Sequence, residues 1–595
     1  EERIAWLETS LAGARERGDL SAQGACLKDL GLAFHRLGEH GQAIGYFEQA
    51  LVIDREIGNR ESTVEDLCNL CNAYRALGEF RHVIEYTEQA LVIARELGDR
   101  NGEGADLGNL GAAYYQLGEL ECAIECCEQA LAIAREIGDQ SCEAMALNNL
   151  GNAYRDLGQV PHAIELYEQS LAIKHQLGDR QGESNEWDNL GDAYAKLGEL
   201  SRAIECYERR LAMERDAGNR QGEAYALFSL GDAYKALGEV RRTIEYSEQS
   251  LKIVRNIGDR QGQASALFNL GFAYRELGEF QRAIEYYEQA LAIDREIDSR
   301  LGQGVVLNNL ARTYADIGDL PRSLECFRQS VVFKKGCGDR HGEASTLNNL
   351  SIVYKRLGDF GCAIDCLEQA LLIDRELRDR QAEANTLGNL GATHKERGKT
   401  RPAIKCYQQQ LAIVRALGDQ QEEGEVLSHI GIAYAIWGKL YRAMAYFEQA
   451  LVLYRKVGDR KGEAGTLNNL ALAHEKKGKL RPAIEYYEQQ LALVRELGDQ
   501  QEEETVLENI ALTYATLNDV PHAMYYFEQQ SLLARKLGDQ KGEGFALSNV
   551  GHAHDLLGDR AQAVACTQQA LAIFEAIGSP EAEKARSKLR RRYVE

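Results

Sequence analysis

The sequence has little proline and no long hydrophobic run. Only six of its 595 residues are proline. No stretch of apolar side chains is long enough to cross a bilayer, and the start of the chain does not resemble a signal peptide. Strand-like alternation of polar and apolar residues is also missing. We therefore expect an all-α, soluble protein in the cytoplasm, with no membrane partner.

Positive charge is in short supply as well. The chain has 69 Lys and Arg residues against 92 Asp and Glu residues, which leaves a net charge of −23 at pH 7. Proteins that bind nucleic acids need a basic stripe that displaces counterions from the phosphates. The charge balance therefore disfavours a nucleic-acid partner.

What the chain does contain is one 40-residue sequence repeated fourteen times without an insertion or deletion. A leucine or a similar aliphatic residue returns at one phase in every copy: Leu30, Leu70, Leu110, Leu150, Leu190, Leu230, Leu270, Leu310, Leu350, Leu390, Ile430, Leu470, Ile510 and Val550. Such a period indicates stacked repeats. We expect one continuous array over residues 20–578, after the second helix of a truncated repeat at 1–19 and before a capping helix at 579–595.

The pattern within each copy predicts two helices. Apolar residues recur at steps of three and four up to Gly118, which is expected to end the first helix in a left-handed conformation. A second apolar stripe runs to Gly138, and Asp139 can then cap the next helix. Five of the prolines fall in the first turn of a second helix, where a missing N–H is tolerated: Pro161, Pro321, Pro402, Pro482 and Pro521.

These residues resemble the tetratricopeptide repeat family, whose signature is W-x2-L-G-x2-Y followed by A-x3-F. The matching residues are Trp187, Leu190, Gly191 and Tyr194 in one copy and Ala443 and Phe447 in another. The longer 40-residue unit is similar to repeats of the polarity scaffold Pins, of kinesin light chain and of sensor arrays in bacterial signalling ATPases. The resemblance implies a right-handed superhelical solenoid of helix-turn-helix repeats, with the first helices on its concave wall.

The repeat accounts for the motifs that would otherwise suggest chemistry. The turn at 398–400 resembles the end of a P-loop, but Thr393 stands where the first glycine is required. Cys68 and Cys71 share one helix, and no second pair at zinc spacing follows them. Histidines at a packing phase are expected to be half-buried: His394, His474 and His554. We therefore expect reduced cysteines, no metal or other cofactor, and no enzymatic activity.

Asparagine precedes the repeated aliphatic residue in eleven copies, and we call these residues the amide row: Asn69, Asn109, Asn149, Asn189, Asn269, Asn309, Asn349, Asn389, Asn469, Asn509 and Asn549. Asparagine is a mediocre helix former that offers one acceptor and two donors. Two interpretations stay open, and both can hold. The amides tie adjacent first helices together, or they bind the backbone of an extended peptide irrespective of its sequence.

Charged and amide side chains follow the amide row at three-residue steps. Three residues further lie Asn72, Asn152, Asp192, Asp232 and Arg312, and after three more come Arg75, Arg155, Lys235, Arg275, Lys355 and Lys395. The basic residues favour an acidic or mixed-charge peptide. The alternative is pairing with the array's own carboxylates at Asp156, Asp188 and Glu276. The predicted peptide-binding residues are Asn69, Asn72, Arg75, Asn109, Asn149, Asn152, Arg155, Asn189, Lys235, Asn269, Arg275, Asn309, Asn349, Lys355 and Asn389.

Two further features bear on function. The chain begins in the middle of a repeat without a methionine, so we expect it to be part of a larger protein. Residues 401–423 also return 80 residues later as 481–503, which implies that the two segments present similar surfaces. The sequence favours a scaffold that holds an extended segment of a partner protein. The alternatives are the sensor arm of a multidomain signalling ATPase, and a solenoid that self-associates through the half-repeat around Trp6.

Overall fold

The computed structural model describes residues 2–593, and within that range it contains thirty α-helices and no strand. The chain divides into two compact units, unit 1 at Glu1–Ser299 and unit 2 at Arg300–Glu595. The predicted all-α class of helix-turn-helix repeats is confirmed. Residues 1, 594 and 595, which the expected terminal segments include, lie outside the described range.

The helices of unit 1 alternate between the first and the second helix of successive repeats, after α1, which has the phase of a second helix. Their bounds are α1 Glu2–Arg17, α2 Leu20–Arg36, α3 His40–Glu56, α4 Arg60–Ala76, α5 Phe80–Leu97, α6 Arg100–Gln116, α7 Leu120–Ile137, α8 Gln140–Asp156, α9 Val160–Leu177, α10 Arg180–Lys196, α11 Leu200–Asp216, α12 Arg220–Ala236, α13 Val240–Ile257, α14 Arg260–Glu276 and α15 Phe280–Glu296. First helices therefore have even numbers.

Unit 2 continues the same alternation and ends with α30. Its helices are α16 Arg300–Asp316, α17 Leu320–Gly336, α18 Arg340–Arg356, α19 Phe360–Glu376, α20 Arg380–Glu396, α21 Thr400–Leu417, α22 Gln420–Ile436, α23 Leu440–Val457, α24 Arg460–Lys476, α25 Leu480–Leu497, α26 Gln500–Thr516, α27 Val520–Leu537, α28 Gln540–Leu556, α29 Arg560–Ala576 and α30 Glu581–Tyr593. The five prolines expected in second helices all lie within the first three residues of such a helix.

The predicted helix ends are confirmed in their geometry. Gly118 and Gly138 have φ of 77° and 73°, a left-handed backbone that costs glycine little. Asp139 accepts hydrogen bonds from the backbone N–H groups of Ser141 and Cys142 at 2.9 and 3.0 Å. Each turn thus ends one helix and caps the next.

The core of each unit is built from the repeated aliphatic phase. All fourteen of those residues are buried, from Leu30 at 0% to Leu390 at 5% exposed. Gly151 lets the two helices of a repeat approach, since a Cβ there would lie 2.5 Å from the ring of Tyr167. At the C-terminal end, Ala585 of α30 packs into a cluster with Leu547 and Phe574. None of the described helices is long and apolar enough to span a membrane.

Candidate functional site

The first helices of neighbouring repeats approach one another more closely than the second helices do. Within unit 1, α6 contacts α8 and α12 contacts α14, and within unit 2, α16 contacts α18 and α22 contacts α24. Among the described residues, no two successive second helices make contacts of that extent. The first helices therefore form the inner side of each local stack. We call this side the first-helix face, and it carries the amide row.

Part of the amide row joins neighbouring first helices. Three asparagines donate from Nδ2 to the Oδ1 of an asparagine in the preceding repeat: Asn189 to Asn148 at 2.9 Å, Asn349 to Asn308 at 3.3 Å, and Asn389 to Asn348 at 3.1 Å. Each bond requires a second asparagine directly before the row in the preceding repeat. The bonds belong to the first of the two interpretations, in which the amides tie the stack together.

Basic side chains bind two further amides, and one amide folds back on its own helix. Asn109 Oδ1 accepts from Arg75 at 3.1 Å, and Asn269 Oδ1 accepts from Lys235 at 3.1 Å. Asn309 donates to the carbonyl of Val305 at 3.0 Å. These three amides therefore also have hydrogen-bond partners inside the array.

The remaining amides are unused. Within residues 2–593, the side chains of Asn69 and Asn149 make no hydrogen bond, and both are half-buried. The residues that could pair with them in the preceding repeat are Lys28 and Gly108. Lys28 binds Glu65 instead, at 2.8 Å, and glycine offers no side chain. Three more members of the row are half-buried and have side chains without a hydrogen bond to any described residue: Asn469, Asn509 and Asn549.

Most of the basic residues predicted to face a guest have partners in the array. Arg155 Nε lies 3.1 Å from Asp156 Oδ1, and its Nη2 donates to the hydroxyl of Tyr115 at 3.2 Å. That hydroxyl donates to Asp156 at 2.7 Å, which closes a triangle. Similar carboxylate pairs are Arg275 with Glu276 at 3.1 Å, Lys355 with Glu396 at 3.0 Å, Lys235 with Asp232, and Arg210 with Asp188.

Two amides predicted to bind peptide differ in their surroundings. Asn152 Oδ1 accepts from the hydroxyl of Tyr167 at 2.8 Å, so it supports a buried ring of the second helix. Asp192 does the same for Tyr207, at 2.7 Å. Asn72, by contrast, is exposed, and so is Arg75 on the same helix. The helix α4 therefore presents Asn69, Asn72 and Arg75 together.

The sequence reasoning missed an apolar row in unit 2. The phase of Asn72 and Asn152 holds an aliphatic residue in most repeats of unit 2, and three of these residues are well exposed: Ile352 at 44%, Leu472 at 37% and Leu512 at 44%. Ile432 occupies the same phase and is half-buried. The signal was visible as an aliphatic residue at a phase that is polar in several copies of unit 1.

Most of the cysteines, and the three histidines at the packing phase, are buried or half-buried. All fourteen cysteines are free thiols, and burial raises the pKa of Cys206 to about 11 and of Cys127 to about 12. Thiols with so high a pKa are weak nucleophiles at neutral pH. His394 and His554 are half-buried and His474 is 9% exposed. Burial lowers the pKa of both His394 and His474, which keeps the rings neutral.

Comparison with known proteins identifies the repeat. A family model of the tetratricopeptide repeat matches residues 25–96, 104–176, 142–216, 222–296, 262–335, 302–376, 342–416, 382–456, 422–496 and 462–531. A search of curated proteins finds no match.

Several solved structures are similar over part of the chain. BtubC (BKLC) from P. vanneervenii is 23% identical over 40% of this chain and 93% of its own, with a TM-score of 0.32. A Podosopora anserina protein, described as a kinesin light chain with nearly identical TPR-like repeats, is 26% identical over 33% of this chain and 96% of its own, with a TM-score of 0.30. The apo form of RapI is 16% identical over 46% of this chain and 99% of its own, with a TM-score of 0.40.

Proposed function

Because the chain belongs to the tetratricopeptide repeat family, whose repeats generally serve as protein-interaction scaffolds, we propose that it binds an extended segment of a partner protein along its first-helix face. The partner segment lies across successive first helices and contacts the amide row. Repeats of this family are typically non-catalytic, and the chain acts by holding its partner.

The observation that carries this proposal is the set of unused amides. Asn69 and Asn149 lie at the phase of the inter-helix bonds but have no hydrogen bond in the described part of the chain. An asparagine in a helix costs stability relative to alanine unless its side chain has another use. A carboxamide offers both a donor and an acceptor, which are the two groups that an extended peptide backbone requires.

The neighbouring side chains support a partner of mixed charge. Arg75 is exposed, and among residues 2–593 its one hydrogen-bond partner is the amide of Asn109, so it is open to a carboxylate of the partner. Arg155 is held by Asp156 and Tyr115 and is less accessible. Within unit 2, the exposed Leu472 and Leu512 can receive apolar side chains of a partner segment.

A pair of matched variants tests the proposal. Asn69→Ala with Asn149→Ala removes two unused amides, and Asn189→Ala with Asn349→Ala removes two donors of inter-helix bonds. The purified chain and both variants are used as bait in a lysate of the source, and retained proteins are identified by mass spectrometry. The first variant should lose the partner with an equal or slightly higher melting temperature, because alanine is the better helix former, while the second should melt earlier and still retain the partner below its melting temperature.

Arg155 is a predicted peptide-binding residue, but Arg155→Glu is unsuitable for this test. It would replace the cationic partner of Asp156 with a second carboxylate and so destabilise α8. Full capture by the folded Asn69→Ala, Asn149→Ala variant would contradict the proposal. A bait that retains nothing would instead favour the sensor arm or the self-associating solenoid.

A further inference from the structure

One second-helix position faces the space between successive first helices and is small in most repeats, with Arg210 as the exception in unit 1. Ten repeats have alanine or serine there, as at Ala450 and Ser330, and both of these are buried. In unit 2, three repeats have glutamine instead, at Gln410, Gln490 and Gln530. A long polar side chain at a position built for a methyl or hydroxymethyl group requires a reason.

Each of these glutamines is buried with an unsatisfied carbonyl. Gln410 is 6% exposed and Gln490 and Gln530 are each 2% exposed, and the Oε1 atom of all three has no hydrogen-bond partner. Burying an acceptor without a partner is unfavourable, because its hydrogen bond to water is lost and not replaced. The three carbonyls are therefore expected to have a donor from outside the array.

The orientation of two carboxamides follows from their neighbours. Gln410 Nε2 donates to Glu422 at 3.3 Å, and Gln490 Nε2 donates to Glu502 at 3.1 Å. A carboxylate can only accept, so it must face the NH2 group and not the carbonyl oxygen. The unsatisfied atom in each case is therefore the acceptor, and the missing group is a donor.

Two of these glutamines line adjacent cavities on either side of α26. The cavity between α24 and α26 has a volume of about 580 Å³ and includes Gln490. The cavity between α26 and α28 has a volume of about 570 Å³ and includes Gln530. Both cavities are lined by Gln501 and Thr505, so they adjoin at α26. We call the two together the α26 trough.

The lining of the α26 trough is strongly negative. Its charged side chains are Asp499 and Glu502 in the first cavity, and Glu504, Glu508, Asp539 and Lys541 in the second. Burial raises the pKa of Glu504, and Asp539 and Glu508 raise it further. A cation in the trough would relieve this repulsion.

We propose that the α26 trough receives arginine or lysine side chains of the partner segment. This inference rests on the proposed function, because it assigns a chemistry to one stretch of the peptide. Guanidinium and ammonium groups only donate, so they satisfy the glutamine carbonyls and the carboxylates together. First helices stacked roughly 10 Å apart correspond to about three residues of extended chain, so the two basic residues lie about three positions apart.

The duplicated segment provides an internal comparison. Gln410 lines a third cavity, of about 610 Å³, between α20 and α22. Its surroundings differ from those of Gln490 because Lys395 and His429 also line it. The third cavity also has three carboxylates, Asp419, Glu422 and Glu425, so the copied segments share both the buried glutamine and an acidic lining, and Lys395 and His429 distinguish the third cavity from the one that holds Gln490.

The test measures binding of two fluorescent peptides to the full chain by anisotropy. One has arginine at every third position among alanine and serine, and the other has glutamate at those positions. We expect only the arginine peptide to bind at near-physiological ionic strength. Gln490→Ala with Gln530→Ala should weaken its binding roughly tenfold or more, since two charge-assisted hydrogen bonds are lost.

These substitutions keep the net charge of −23, so they separate the trough from the general attraction of an acidic protein for a basic peptide. Both introduce the residue that sister repeats already have, so we expect folding to persist, which circular dichroism verifies. Gln409→Ala changes an exposed glutamine outside the α26 trough, beside Gln410, and serves as the control. Glu504→Gln with Glu508→Gln should also weaken binding of the arginine peptide.

Unchanged binding by the Gln490→Ala, Gln530→Ala variant would overturn this inference, as would tighter binding of the glutamate peptide. The proposed function is judged separately, from partner capture by the Asn69→Ala, Asn149→Ala variant in unit 1. If that variant loses its partner but the arginine peptide does not bind as expected, only the assignment of basic residues to the α26 trough is wrong. If the arginine peptide binds as expected and the Asn69→Ala, Asn149→Ala variant keeps its partner, only the proposed role of the amide row is wrong.

Discussion

Asp66 and Asp106 are two of three buried carboxylates of unit 1, with Glu186, that occupy a first-helix position holding alanine, valine or threonine in most other repeats. Asp66 is 0% exposed and Asp106 is 5% exposed. Burial raises the pKa of each to about 7, and the two are distinguished by their neighbours. Lys28, 3.6 Å from Asp66, counteracts the rise there, whereas Asp99 adds to it at Asp106. Asp106 therefore costs stability at neutral pH.

We expect Asp106→Ala to stabilise unit 1 at pH 8. The pKa of Asp106 in the folded chain lies above the ordinary aspartate value of about 4, so the protonated form of this carboxyl favours folding. That contribution is complete below about pH 4 and is lost as the pH rises through about 7. The substitution should raise the free energy of unfolding at pH 8 by roughly 1–3 kcal/mol and flatten its pH dependence. Urea unfolding at pH 5 and pH 8 measures both effects.

The matched control for Asp106→Ala is Glu85→Ala, which removes an exposed carboxylate of the neighbouring helix. It should leave the pH dependence unchanged. Parallel stability curves for the wild type and Asp106→Ala would show that the carboxyl of Asp106 titrates normally in the folded chain.

At the scale of the element, the two helices of a repeat begin differently. Most first helices follow an aspartate or asparagine that accepts from a backbone N–H, as Asp139 does for α8. Many second helices follow a glutamate that makes no such bond, as Glu119 does before α7. The residue type determines whether a cap forms, because Asp359 caps the second helix α19: its Oδ1 accepts from the backbone N–H of Cys362 at 3.0 Å. The longer glutamate side chain has more rotamer freedom to lose.

Removing a cap should therefore have an effect that depends on the helix. We expect Asp139→Ala to lower the stability of α8 by about 1 kcal/mol, because two backbone N–H groups lose their acceptor. Glu119→Ala should change the stability of α7 much less. Hydrogen exchange of the first-turn amides measures each helix separately. Equal effects in the two helices would contradict the cap assignment.

At the scale of the whole molecule, the strict period means that each repeat contacts its neighbours through the same surfaces. Stability of such an array is approximately a sum over repeats and their interfaces. The period also determines which lengths of chain can be removed. A whole period preserves the alternation of first and second helices, whereas half a period places two helices of one kind side by side.

Deletion of residues 220–259 should consequently leave a folded protein. It removes α12 and α13 and places Asn219 as the cap of α14, so helix content per residue and cooperative melting should persist. Deletion of 220–239 removes α12 alone and brings α11 next to α13, whose buried faces were not built for each other. Circular dichroism and calorimetry compare the two. Equal stability of both deletions would contradict the register argument.

The sequence was sufficient to predict the helices, the turns between them and the burial of the repeated aliphatic residues. Leu150 is buried, Gly138 is left-handed and Asp139 caps α8, all as the pattern predicted. These features follow from local rules, because helical periodicity, glycine conformation and side-chain capping each involve residues a few positions apart. The peptide-binding residues, by comparison, stay a proposal.

The contacts between repeats were decided by the tertiary structure alone. Asn189 bonds to a residue 41 positions earlier, whereas Arg75 bonds to one 34 positions later, so the distance along the chain is neither one period nor constant. The offset between stacked helices determines which side chains meet, and one neighbouring glycine is enough to leave Asn149 unused. The sequence by itself determined the repeat and its phases, while only the stacking of neighbours determined which amides, arginines and glutamines remain available to a partner.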